Sequence, residues 1–186
     1  MPWIDALRVG GHVVELMARL ARVRVPLGFA AGILVLVLAR PTWPSLAAGT
    51  IVALVGEAIR LWAAGHLEKS REVTRSGPYR WFRHPLYVGS AVMGVGVAVA
   101  GSGVVVAGII SAYLGATLYA AIRTEEAFLR DRFGSEYDDY CRGRAAAAHR
   151  PFRWSRAWRN REYRAVIGMG AVFVVLALKA VFLRGH

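Results

Sequence analysis

The chain of 186 residues holds a single cysteine, Cys141. No intrachain disulfide is possible, and no Cys/His set has the spacing of a zinc site. Acids are also scarce, 12 Asp+Glu against 24 Lys+Arg, for a formal net charge of +12. The apolar blocks are nearly free of carboxylates, with Glu57 the exception. The first 26 residues are basic and amphipathic and lack the small-residue cleavage site of a secretory signal. Glycines 94, 96 and 101 do not have the spacing of a dinucleotide loop.

What is abundant is apolar sequence, 56% of the chain with a mean hydropathy of +0.39. Soluble domains run at roughly 45–50% apolar. The excess is gathered in five blocks, 27–39, 46–67, 86–100, 104–122 and 165–183. Backbone inside a bilayer must satisfy its own hydrogen bonds, so all five should be helices. The expected fold is all-α. It is a polytopic membrane bundle of about five spans, with a cytoplasmic amphipathic helix and a basic segment towards the C-terminus. The spacing of Gly28 and Gly32 suggests a close helix contact.

Such a basic chain suggests nucleic acid when soluble. Here the bases lie between apolar blocks and read instead as topology signals and contacts to membrane lipid. Arg8, Arg19, Arg22 and Arg24 precede the first block, and Lys69, Arg71, Arg75, Arg80 and Arg83 follow the second. Eleven arginines lie within 123–164. The positive-inside rule places these three segments in the cytoplasm, as expected of a multi-pass cell (inner) membrane protein.

Two stretches carry the polar chemistry. The first runs Gly77-Pro78-Tyr79, then Arg83-His84-Pro85-Leu86-Tyr87-Val88-Gly89. Pro85 suits the first turn of a helix, which leaves His84 at a helix mouth that favours carboxylate or phosphate. An aromatic belt with basic anchors is the competing reading. The second stretch contains Arg123, Glu125, Glu126, Leu129, Phe133-Gly134, Tyr137 and Tyr140. Helical spacing puts Glu126 in an apolar stripe with Ile122, Leu129 and Phe133, and Glu125 on the neighbouring face, so either carboxylate is the candidate inward one. A surface ion pair with Arg123 or Arg130 is the alternative. Upstream, Glu57 and Arg60 share a face of the second block, as a functional site or a structural bridge.

Together with the run Gly56 to Leu67, these motifs resemble the isoprenylcysteine carboxyl methyltransferase family, in its bacterial branch, with phospholipid N-methyltransferases as relatives. The resemblance covers roughly 46–151 of what reads as one domain, between a divergent part, 1–45, and a basic segment with the last span, 152–186. It implies an S-adenosyl-L-methionine-dependent membrane methyltransferase without a Rossmann domain or a metal. The implied cofactor contacts are Glu72, Val73, Thr74, Tyr79, His84, Pro85, Leu86, Tyr87 and a glutamate of the pair Glu125/Glu126, with His66 beside them. Arg123, Arg60 and Glu126 are the implied catalytic candidates. The arginines would orient an acceptor carboxylate, whereas an amine acceptor would need a base such as Glu126 or His66. The implied acceptor is a lipophilic or prenylated molecule, most readily an acid, entering from the bilayer. The stretch Cys141 to Pro151 is longer than the family's. A sterol-reductase-like enzyme using reduced nicotinamide and a non-catalytic membrane adaptor are the competing expectations.

Overall fold

The computed structural model describes residues 26–184. The basic stretch before Pro26, with its four arginines, lies outside the described residues. The described chain is helical, without strands. Five apolar helices form the bundle: α1 (Pro26–Leu38), α2 (Trp43–Ala64), α3 (Pro85–Gly101), α4 (Val104–Phe133) and α7 (Tyr163–Arg184). Two short helices, α5 (Ser135–Cys141) and α6 (Trp154–Arg159), lie between α4 and α7.

Three of these helices, α2, α4 and α7, are long and apolar enough to cross a membrane. The described part of α1 and the 17-residue α3 are shorter. At about 1.5 Å per residue they extend roughly 20 and 25 Å, below a hydrocarbon core of about 30 Å. The amphipathic stretch after residue 122 is not a separate helix. It continues α4 without a break to Phe133, so the glutamates sit on the same rigid rod as the apolar span.

The sequence starts and stops these helices with recognisable chemistry. Thr42 and Ser45 form a reciprocal capping box at the start of α2, which has Pro44 in its first turn. Pro85 occupies the first turn of α3, with His84 at the N-cap. The tightest contact is not at Gly28 and Gly32. A Cβ on Gly28 would meet the Tyr113 hydroxyl, and one on Gly32 would meet nothing within 4 Å. Backbones instead touch between α2 and α3, where a Cβ on Gly49 would lie 2.5 Å from the Gly96 carbonyl and one on Gly56 2.7 Å from that of Gly89. Small residues there let the two helices lie almost in contact.

At one end of the bundle Val35, Ala39, Leu46, Ala100, Val106, Leu176 and Ala180 form a core. Lys179 on α7 donates to the Leu36 carbonyl at 2.8 Å, meeting the open carbonyls at the end of α1. Large apolar side chains such as Phe29, Ile33, Ile51, Ile167 and Phe182 point outwards, as lipid-facing residues do. At the opposite end the loop 65–84 and the segment 134–162 come together, and the polar chemistry gathers there.

Candidate active site at the polar end of the bundle

The loop after α2 is built around Gly77. Its φ of +57° is left-handed. A Cβ there would fall 2.6 Å from the His66 ring. His66 is buried, its Nδ1 donates to the Trp62 carbonyl at 3.0 Å, and its ring packs against Phe152. Gly77→Ala combines a left-handed penalty of about 1–2 kcal/mol with a displaced His66. A lowered thermal midpoint of the purified protein is the expected outcome.

From Gly77 the chain makes a 3-10 turn through Arg80. The Tyr140 hydroxyl on α5 donates to the Tyr79 carbonyl at 2.7 Å and clamps that turn to the second motif. Burial raises the Tyr140 phenol to about 12, so it remains a donor at neutral pH.

His84 joins the two motifs. Its Nε2 lies 3.4 Å from Glu126 Oε1 and its Nδ1 3.7 Å from Glu125 Oε2. Burial alone would lower the pKa of this ring, but hydrogen bonds and charge from the two carboxylates outweigh it and raise it. A group whose folded pKa is raised gives stability that is fully present below the unfolded value of about 6.5 and is lost as pH rises through the folded value. The difference in thermal midpoint between the natural protein and His84→Gln should therefore be largest near pH 6 and shrink as pH rises; a difference that grows with pH contradicts the ion-pair assignment.

These elements enclose a cavity of about 440 Å³, within the size range of small-molecule sites. Its polar wall comes from the loop after α2, including Glu72, Val73 and Thr74, and from Tyr79, Tyr87 and Glu125. Its apolar wall comes from Leu86 and from α4, where Ala120, Ala121, Phe128 and Leu129 line it.

Of the residues singled out in the sequence, Glu72, Val73, Thr74, Tyr79, Leu86, Tyr87 and Glu125 line this cavity. His84, Pro85 and Glu126 stand behind it. Glu126 is ringed by His84, Arg130, Arg123 and Arg83, all within 4.0 Å. His66 lies in the aromatic packing under the loop. Arg123 has a side chain 56% exposed. Arg60 is fully engaged: it donates to Glu162 at 2.6 Å, to Ser90 and to the Leu86 carbonyl.

Several lining residues were not singled out as site residues: Glu68, Lys69, Arg83, Tyr137, Tyr140, Asn160 and Glu162. The last two come from the segment leading into α7. Arg150 pairs with Glu72 at 2.6 Å, and buried Arg156 pairs with Glu68 at 2.8 Å and donates to the Gly65 carbonyl at 2.8 Å. Asn160 donates to the carbonyls of Ala64 and Leu67 at the end of α2. The long stretch after Cys141 thus sutures the loop that follows α2 from behind. One signal pointed to Glu162: it is the only acid after Asp139, at the mouth of an apolar span.

Residues 46–136, which supply α2, α3, α4 and most of this cavity, match the phospholipid methyltransferase family model. These residues carry the pattern of that family over just under half of the chain. That places them with the isoprenylcysteine carboxyl methyltransferase-like membrane methyltransferases that the motifs resemble. Over 96 residues the chain is 37% identical to a nickel-cobalt-cadmium resistance protein of Alcaligenes xylosoxydans xylosoxydans, an alignment covering 50% of this chain and 43% of that protein. Over 97 residues it is 35% identical to a cobalt-zinc-cadmium resistance protein of Cupriavidus metallidurans, with the same two coverages, 50% and 43%. The chain thus spans less than half of either relative. No solved structure matches the chain. The matched residues end just before Tyr137, so Tyr137, Tyr140, Asn160 and Glu162 complete the cavity from outside them.

Proposed function

We propose that this chain is an S-adenosyl-L-methionine-dependent membrane methyltransferase acting on a lipophilic acceptor. The observation that carries the reading is the cavity itself: both motifs of the phospholipid methyltransferase domain converge on one enclosed space with a polar and an apolar wall. When bound, the cofactor supplies an electrophilic methyl group on a sulfonium.

The residues divide the work by their chemistry. Glu125, held by His84, offers a carboxylate to the polar part of the cofactor. Tyr79 and Tyr87 offer ring faces and hydroxyls, and the stretch Glu72 to Thr74 offers backbone groups. The apolar wall from α4 excludes water and receives the hydrocarbon part of the acceptor, which enters from the bilayer. Placement and desolvation then provide most of the acceleration.

An amine is the acceptor group this arrangement favours, its proton passing to a carboxylate of the cavity wall, since Glu126 and His66 do not line it. Arg60 is occupied by Glu162, Ser90 and the Leu86 carbonyl, and Arg123 is exposed, so neither stands free to hold a carboxylate. A carboxylate acceptor, the preference drawn from sequence, would rely on Lys69 and Arg83, which also line the cavity. The distribution of arginine supports a cytoplasmic location for the cavity. The test is transfer of labelled methyl from S-adenosylmethionine by the full chain in lipid nanodiscs, with aminophospholipids and prenylated acids as alternative acceptors. Label in the aminophospholipid is expected. Label in the acids alone moves the acceptor to a carboxylate, and label in neither removes the reading.

A further inference from the structure

Glu162 sits at the entry to α7, outside the phospholipid methyltransferase domain. We infer that it is the cation-binding carboxylate of the cavity and meets a positively charged group of the ligand. The inference rests on the methyltransferase reading, under which that group is either the sulfonium of the methyl donor or the ammonium of an amine acceptor.

Glu162 is 95% buried, being 5% exposed, yet it lines the cavity. Its Oε1 accepts from Arg60 Nε at 2.6 Å. The residue before it, Arg161, is in a left-handed conformation with φ of 59°, which turns the chain sharply where α7 begins. A non-glycine residue held that way costs about 1–2 kcal/mol and persists where the surroundings over-determine it.

The local charge does not balance. Arg60 is shared with Glu57, whose Oε2 lies 3.9 Å from its Nε and whose two oxygens accept no hydrogen bond. Two buried carboxylates therefore face one guanidinium. The other acids of the wall have their own partners: Glu68 has Arg156 and Arg159, Glu72 has Arg150, and Glu125 has His84. Buried carboxylates without enough counter-charge are costly, and a cation arriving in the cavity relieves that cost.

The test is Glu162→Gln in the full chain, which keeps the size and leaves an oxygen for Arg60. Calorimetry compares S-adenosylmethionine, with its sulfonium, to S-adenosylhomocysteine, whose sulfur is neutral. If the ligand cation is the sulfonium, the variant binds the first about tenfold or more weakly and the second unchanged, as for loss of one close charge–charge contact in a partly buried site. If it is an acceptor ammonium, both bind as before and KM for an aminophospholipid rises about tenfold or more. Equal weakening of both ligands, or no change in either ligand or in KM, overturns the inference. Should Glu162→Gln fail to fold, Glu162→Asp keeps the charge and must retain the natural preference between the two ligands or leave KM within a few-fold. Failure of the natural protein to bind either ligand removes the methyltransferase reading instead.

Discussion

Glu125→Gln should weaken S-adenosylhomocysteine binding by about ten- to a hundredfold while the helical bundle stays folded. The carboxylate lines the cavity, and the oxygen within 3.7 Å of His84 Nδ1 is held by a ring that also faces Glu126. The neutral amide keeps the shape and loses the charge. Glu126→Gln should have a smaller effect, because that side chain stands behind the cavity and orients His84. The double variant should lose measurable binding. Calorimetry measures the affinities, and the helical circular dichroism signal measures the fold. Unchanged affinity in the double variant contradicts the placement of the cofactor.

Arg60→Ala should destabilise the protein by about 3–5 kcal/mol, the largest loss expected from one side chain. The guanidinium ties α2 to α3 through Ser90 and the Leu86 carbonyl, and to the start of α7 through Glu162. Removing it leaves Glu57 and Glu162 buried with no counter-charge. Arg60→Met combined with Glu57→Gln and Glu162→Gln should recover much of the lost stability, since removing the orphaned charges removes the main penalty. Thermal unfolding in one detergent at one pH compares the variants. A single variant as stable as the natural protein contradicts the network.

The fold was legible because lipid imposes a simple rule on sequence. Apolar blocks predicted α2, α3 and α7 to within a few residues at each end, and likewise the described end of α1 and the start of α4. The continuity of α4 was less visible: the charged run after Ile122 marks the end of the apolar stretch, but charge does not end a helix, and Gly134 does. The Gly28 and Gly32 pattern drew attention away from the real contact, since small residues three and four apart occur along many spans and only the partner helix decides which ones touch.

Tyr79, Tyr87 and Glu125, singled out from the two motifs, line the cavity. Their roles in binding are what the experiments decide. The wall from the segment before α7 was not legible, because its suture runs through pairs far apart in sequence, such as Arg150 with Glu72 and Arg156 with Glu68. Nor does spacing reveal that Arg60 is engaged by Glu162, more than a hundred residues away. A lone acid in an arginine-rich stretch was the available clue.

The most direct test of the central claim is calorimetric titration of the detergent-purified full chain with S-adenosylhomocysteine, with reduced nicotinamide adenine dinucleotide phosphate as the control. The account predicts saturable binding, about micromolar, of the first and none of the second. Binding of the nicotinamide alone would contradict it in favour of a reductase, and binding of neither would leave the domain without the cofactor on which methyl transfer depends.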